Sequence, residues 1–363
     1  VSRGDILLVP DLALERWPSM DRYAAAIARR VTRVTVPAEA ASMTGARYLA
    51  RYVRYPRALS RYHPALVHIA DHSYAHCLRA FPGVPSVVTV HDLSPLRTLE
   101  LRERGPRALL RDAVLNRVIA WIRRADRIIA ISQFTAAEAA RLLGVPQDRL
   151  RVIHLGVDEK FFVRPAASAI VARRAGWRTG GRADGRTFIL NVGSCVPRKN
   201  IEGVIASVAE LRQRGMNAAL VQIGGEFTAA QRREIDRAGI ADSVIQEPRV
   251  GDEMLIAAYH AADLLLFPSH YEGFGLPAIE AMAAGLPVVT SASGGLAEAV
   301  GDAVVIVNPP EPARLADAMQ RILSSQDARD ALKARGIIWA RDFTWDACAA
   351  AHVKVYEELL GAE

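Results

Sequence analysis

The chain has 363 residues, 51% of them apolar and 23% charged; this mixture excludes a disordered or low-complexity protein and, at about 150 residues per domain, predicts two domains. Three widely spaced cysteines (Cys77, Cys195, Cys348) do not form a disulfide framework or a zinc motif. No apolar stretch approaches the ~20 residues that span a bilayer, and residues 1–30 carry Asp5, Asp11, Glu15 and Asp21 without a secretory pattern, so a cytoplasmic protein is expected.

In chain order, short β-branched runs at Ile6–Val9, Val34–Val36, Leu66–Ile69, Val87–Val90 and Ile128–Ile131 predict strands. Helical patterns separate them, among them Arg107–Arg123 and Ala136–Leu143. For the latter, Thr135 with Glu138 three residues on reads as a capping box, and Gly144 before Pro146 as the stop. Residues 165–187, rich in Arg and Gly and without a strand pattern, read as a linker. A second series of strands follows at Phe188–Val192, Ala219–Ile223, Val244–Gln246, Leu264–Phe267, Val288–Thr290 and Val304–Val307, with helices starting near Asn200, Thr228, Asp252 and Leu276. The expected architecture is α/β: two Rossmann-like, doubly wound domains, residues 1–164 and 188–344, facing across a cleft. A last helix within residues 345–363, at Trp345–Leu360, is expected to pack back towards the first domain.

The net charge of +7 is uneven: residues 1–164 carry +11 and residues 165–363 carry −4. An anionic partner for the first half, such as a membrane surface met by Arg47–Arg61 and Arg97–Arg124, is one reading. Solvated helix faces are the other. The basic half has no zipper heptads, ribonucleoprotein strands or zinc-finger spacing, so nucleic acid is not an expected partner.

The densest chemistry lies in the run from Pro268 to Pro287, which reads PSHYEGFGLPAIEAMAAGLP. It leaves a buried strand, crosses a Gly-rich turn and enters a helix with Pro277 near its start. Amides of Phe274 to Ala278 at a helix N-terminus would make an anion site, and Gly273 and Gly275 would let a phosphate approach the backbone. Glu272 and Glu280 flank that turn; for Glu280 the plainer reading is a complement to the helix dipole.

The Glu-x7-Glu segment EGFGLPAIEAMAAGLPVV resembles the retaining nucleotide-sugar glycosyltransferases of family 4, which have the GT-B fold. VGSCVPRKN (192–200), ADLLLFPS (262–269), RIIAISQFT (127–135), VIHLGVD (152–158), the glycine pair 294–295 with AEAVGDA (297–303), and DFTWDACA (342–349) extend the resemblance over most of the chain. It implies that Glu272 contacts the transferred sugar and Glu280 the ribose hydroxyls. Backbone around Gly273, Phe274, Gly275 and Leu276 would take sugar and phosphate oxygens, and Lys199, beside the Gly193 turn, would neutralise the diphosphate. Many relatives carry Arg directly after that glycine; this chain has Ser194, and Arg198 is the expected substitute. His91, ending the strand VTVHD, would reach the donor sugar.

The first strand-to-helix loop departs from the family's paired glycines, keeping only Arg22-Tyr23, which puts acceptor contacts near it in doubt. Asp71, His72, Tyr74 and Arg22 are the expected acceptor-side residues. His68, His72 and His76 have a metal-like spacing, but His68 belongs to a strand, so no metal site is expected. No Asp-x-Asp triplet occurs, which fits a metal-independent enzyme without a cofactor. The implied reaction is hexosyl transfer from a nucleoside diphosphate sugar to a glycan or lipid-linked acceptor, at the inner face of the membrane if the basic half binds lipid. The Arg198-Lys199-Asn200 ending makes GDP-mannose the first expected donor and leaves UDP-sugars open. An epimerase on the same fold and an anion- or nucleic-acid-binding module are the alternatives.

Overall fold

The structure, a computed structural model, describes residues 5–94, 117–177 and 185–361. Most of the expected helix Arg107–Arg123, and of the basic stretch Arg97–Arg124, falls outside these. The chain divides into two compact units, residues 1–156 with 345–363, and residues 157–344.

The first unit holds a six-stranded parallel sheet of β1 (Ile6–Val9), β2 (Val34–Thr35), β3 (Leu66–Ile69), β4 (Ser86–Val90), β5 (Arg127–Ala130) and β6 (Leu150–Val152), in spatial order β2-β1-β3-β4-β5-β6. The strand β6 was not expected: it is short and has Arg151 at its centre. Leu7, Val9, Val67, Ile69, Val88, Val90 and Ile128 are fully buried, as both faces of a parallel sheet require. The order reverses direction at the β1/β3 boundary, the place where open α/β sheets bind ligands.

The helix Gln133–Leu143 ends at Gly144 as expected, in the left-handed region at φ 61°. Its cap, however, is Ser132, whose side chain accepts a bond from the Thr135 amide at 3.0 Å. Thr135 is already helical, so the helix starts three residues earlier than its capping-box pattern indicates.

The second unit repeats the plan with β7 (Thr187–Val192), β8 (Ala218–Ile223), β9 (Val244–Glu247), β10 (Leu264–Phe267), β11 (Val288–Thr290) and β12 (Val305–Ile306), all parallel, in the order β12-β11-β10-β7-β8-β9. Its reversal lies between β7 and β10. The boundary between units precedes the expected linker, and that segment contains the helix Ala167–Gly176. Two arginines of this helix are structural: Arg173 pairs with Glu247 at 2.5 Å and Arg174 with Asp263 at 2.9 Å, while the buried Trp177 donates to Glu247 at 2.6 Å.

The helix Trp345–Leu360 belongs to the first unit. A buried chain of hydrogen bonds holds it on the sheet, and one constraint sets the direction of every link. The Cys348 carbonyl can only accept, so His352 Nδ1–H donates to it at 2.7 Å. His352 Nε2 therefore accepts from the Tyr23 hydroxyl at 2.7 Å, and Tyr23 oxygen accepts from Thr89 at 2.7 Å. Thr89 in turn accepts from His68 Nε2–H at 2.8 Å, leaving His68 Nδ1 to accept from Tyr356 at 2.7 Å.

Both imidazoles must be neutral for this chain to close. Burial drives the His352 pKa down to about 4 and pushes His68 well below its ordinary value. With depressed folded pKa values, stability is fully present above the unfolded histidine pKa near 6.5 and is lost as pH falls towards 4. His352 alone accounts for about 3 kcal/mol over that window. The urea midpoint is expected to fall steeply between pH 6.5 and 4.5, and less steeply in His352→Gln; equal slopes would contradict the network.

Candidate functional site

The second unit's site forms at the β7/β10 reversal. After β7 the chain turns at Gly193, with φ 144°, where only glycine is at ease. It then makes a short 3₁₀ turn, Pro197–Lys199, before the helix Ile201–Gln213. Asn200 joins the two in the left-handed region (φ 55°); its side chain accepts from the Gly203 amide at 3.2 Å and donates to the Pro268 carbonyl at 3.1 Å. The two loops at the reversal are thereby tied together, and the His270 amide adds a bond to the Arg198 carbonyl at 2.8 Å.

These ties bring Lys199, Arg198 and Glu272 into one cluster. Lys199 Nζ donates to Glu272 Oε1 at 2.6 Å, and Arg198 approaches Glu272 Oε2 at 3.4 Å and the Tyr271 carbonyl at 3.3 Å. Both Lys199 and Glu272 side chains are largely buried, and the ammonium sits 4.9 Å over the Phe267 ring. Gly193 lies against the Lys199 stem, where an added Cβ would be 3.7 Å from Cε. Ser194 follows Gly193, and Arg198 and Lys199 approach the same carboxylate. Glu272 is held from behind by the glycine pair: its carbonyl accepts from the Gly295 amide at 2.9 Å, and Gly294, at φ 68°, packs so closely on it that any Cβ would collide.

Past Glu272 the turn enters the helix Leu276–Ala283, capped by Gly275 at φ 107°, with Leu296 packed where a Cβ would lie. The expected row of amides is shorter than the sequence indicates. Pro277 has no N–H and the Ala278 amide is spent on the Gly275 carbonyl at 3.0 Å, which leaves Gly275 and Leu276. The Phe274 ring is buried, 5.6 Å from the Phe343 ring, and does not face the turn's amides as a ligand group. Glu280 is buried and accepts a 3.0 Å bond from the Tyr259 hydroxyl, a partner that sequence reading missed because it lies on the preceding helix, Asp252–Ala261.

In the first unit, His91, Asp71 and His72 come together at the carboxyl ends of β3 and β4. His91 is buried; its Nε2–H donates to the Ala70 carbonyl at 2.9 Å, so Nδ1 bears the free lone pair and has no partner. Burial lowers the His91 pKa, against the opposing pull of Asp71 and the Ala70 carbonyl, so it is a neutral acceptor. Burial works to raise Asp71, but His72 at 3.8 Å, His91 and bonds from Ser73 outweigh it and hold the carboxyl below its ordinary value.

Tyr74 is not open to a ligand. It is fully buried, and its hydroxyl accepts from the Leu12 amide at 3.4 Å and donates to Glu15 at 3.2 Å, so it latches the first loop instead. Arg22 lies half-buried on the helix Pro18–Arg30. Sequence reading also missed Asp11. It is 4% exposed, and neither carboxyl oxygen has a hydrogen-bond partner. A buried polar atom so placed costs about 1–3 kcal/mol. Among the described residues no group of His, Cys, Asp and Glu is arranged to hold a metal ion, and no helix is long and apolar enough to cross a membrane.

Two family models match the chain: Glycosyltransferase Family 4 over residues 11–161 and Glycosyl transferases group 1 over residues 177–339. The D-inositol 3-phosphate glycosyltransferase of Actinosynnema mirum is 32% identical over 287 residues, 76% of this chain and 67% of that protein. The chain belongs to glycosyltransferase family 4.

Other members of the family are similar over a like extent. The Thermobispora bispora protein of the same name is 35% identical over 77% of this chain and 66% of its own length. The O-antigen chain mannosyltransferase B of Escherichia coli is 29% identical over 65% and 61%. The match thus spans about two thirds, or slightly less, of these curated relatives. Among solved structures, the sucrose-phosphate synthase of Thermosynechococcus elongatus superposes with a TM-score of 0.76 at 24% identity, covering 99% of this chain and all of that one. Anabaena HepE, in complex with UDP and glucose, gives 0.77 at 18%, over 98% and 100%. Both sheets of this family-4 chain are therefore those of the GT-B fold.

Proposed function

We propose that this chain transfers a hexosyl group from a nucleoside diphosphate sugar to a hydroxyl of a glycan, cyclitol or lipid-linked acceptor, with retention at the anomeric carbon. The observation that carries this reading is the cluster of Lys199, Arg198 and the buried Glu272 beside a Gly-capped helix start, at the topological reversal of the second sheet. As the bond from C1 to the phosphate oxygen breaks, negative charge gathers on the departing diphosphate. Lys199, Arg198 and the Gly275 and Leu276 amides are pre-arranged cations and dipoles for that charge. They perform the task often given to a divalent metal, so the reaction should proceed in chelator. Glu272 would hold the sugar, Glu280 the ribose hydroxyls, and His91 Nδ1 would accept from a sugar hydroxyl. The acceptor oxygen bonds to C1 on the face the diphosphate leaves, and its proton passes to a phosphate oxygen of the leaving group.

GDP-mannose remains the first donor to try, on the Arg-Lys-Asn ending and the mannosyltransferase among the relatives. The inositol phosphate acceptor in the names of the other relatives widens the acceptor class to cyclitols. Cytoplasmic action, at a membrane surface met by the basic first half, completes the reading. The test is incubation in EDTA with GDP-mannose, UDP-glucose or UDP-N-acetylglucosamine and a panel of sugar and cyclitol acceptors. Acceptor-dependent release of nucleoside diphosphate, with the donor's anomeric configuration kept in the product by NMR, is expected. Interconversion of the sugar nucleotide without release would instead identify an epimerase.

A further inference from the structure

Of the pair Arg22-Tyr23 that the first strand-to-helix loop keeps, the proposed reaction leaves Tyr23 without a task. Tyr23 is buried on the helix Pro18–Arg30, and both β4 and the helix Trp345–Leu360 meet it there. Its hydroxyl accepts from Thr89 of β4 at 2.7 Å and donates to His352 of that helix at 2.7 Å. Trp345, from the same helix, stands 6.4 Å from its ring. On β4's side, the His91 ring lies two residues beyond Thr89, its centroid 4.8 Å from that of Tyr23 and the two planes at 87°. Burial raises the phenol's pKa well above its ordinary value, with Cys348 and Tyr356 adding and the Thr89 bond opposing, so the hydroxyl stays protonated and keeps both bonds.

His91 needs such a neighbour. The torsion that turns an imidazole about its Cβ–Cγ bond has only broad preferences, so the side chain's own rotamer does not set the ring plane. One hydrogen bond, from Nε2–H to the Ala70 carbonyl at 2.9 Å, anchors a single ring atom and leaves Nδ1 without a partner. A perpendicular aromatic contact is directional, and it fixes the plane about that anchor. The contact holds only while Tyr23 is itself held, which is what the two bonds to its hydroxyl do.

We propose that Tyr23 is a positioning residue: tied through its hydroxyl to Thr89 and His352, it sets the plane of the His91 ring and with it the direction of the Nδ1 lone pair. The helix Trp345–Leu360 thereby acts on His91 through one tyrosine. This rests on the reading in which Nδ1 accepts from a sugar hydroxyl, and it goes beyond that reading by naming what aims the acceptor atom. A tyrosine that served the core alone would stabilise the first unit without any particular relation to His91, and the two roles separate by experiment.

The experiment has two readouts on the whole chain. The first needs no turnover: long-range proton–nitrogen correlation spectra of the histidine rings, the His91 signals being assigned by their loss in His91→Ala. The wild type is expected to show one sharp set with the proton on Nε2. Tyr23→Leu, which removes the ring, and Tyr23→Phe, which removes only the hydroxyl's bonds, are each expected to shift or broaden that set. The second readout is release of nucleoside diphosphate from GDP-mannose, UDP-glucose and UDP-N-acetylglucosamine with the acceptor panel. Tyr23→Leu is expected to lower kcat about tenfold with the affinity for nucleoside diphosphate unchanged. In a chain already carrying His91→Ala, the same change is expected to cost nothing further. Near-ultraviolet circular dichroism checks folding, and if Tyr23→Leu does not fold, Tyr23→Phe carries the same cycle with a smaller loss. Unchanged His91 signals in the Tyr23 variants would overturn the proposal. So would an equal loss of turnover with and without the His91 side chain, the mark of a merely structural tyrosine. Signals altered in Tyr23→Leu and untouched in Tyr23→Phe would contradict the tie through His352. Absence of diphosphate release from the wild type rejects the glycosyltransferase reading instead, and the spectra then decide the positioning by themselves.

Discussion

Replacing Glu272 by Gln is expected to lower turnover by about 10²–10³-fold while tightening the binding of nucleoside diphosphate by about tenfold. The two effects have opposite signs because the carboxylate has two relations. In the structure it is the counter-ion of Lys199 at 2.6 Å and of Arg198 at 3.4 Å, the cations assigned to the diphosphate. Removing its charge frees both for phosphate oxygens, and charge-assisted bonds of this kind are worth about 1.5–3 kcal/mol each. The neutral amide would nevertheless lack the charge that the proposed contact offers the sugar as positive charge develops at its anomeric carbon. Steady-state turnover and calorimetric affinity on one preparation check both halves. Weaker diphosphate binding with turnover unchanged would reject the assignment.

Replacing Lys199 by Ala is expected to weaken donor affinity and turnover together, reducing kcat/KM by about 10³-fold. It also leaves Glu272 buried, with Arg198 its partner at 3.4 Å. Breaking a buried pair by removing one partner costs about 3–5 kcal/mol, so the single variant should melt earlier than the wild type. The double variant Lys199→Ala/Glu272→Gln removes the stranded charge and should regain most of the lost stability without regaining activity. Recovery of activity in the double variant would show that the loss came from folding and not from chemistry.

The strands were legible because a parallel sheet buried on both faces must be written in continuous β-branched runs, as Leu66–Ile69 and Leu264–Phe267 are. The geometry of the candidate donor turn was legible because its constraints are local: glycines at Gly193 and Gly275, a proline at the helix start, cations and carboxylates at fixed spacing. Where reading failed, a distant partner decided the outcome. The arginines before Trp177 looked like a linker until Glu247 and Asp263, more than 70 residues away, gave them a fold. The bond from the Tyr259 hydroxyl to one Glu280 oxygen was likewise out of reach of the local sequence. Asp11 carried no role in the sequence; only the fold shows that it is buried, and burial, then the Asp71 carboxylate, raise its pKa. Ser132, not Thr135, caps its helix: both are favourable N-cap residue types, and the backbone decides between them.

The measurement that tests the central claim most directly is calorimetric titration of GDP, UDP, dTDP and ADP into the wild-type chain and Lys199→Ala in EDTA. Saturable binding of one nucleoside diphosphate to the wild type, weakened at least tenfold in Lys199→Ala, is the predicted result. Binding of none, or equal binding to both proteins, would contradict a donor site built on Lys199 and Glu272.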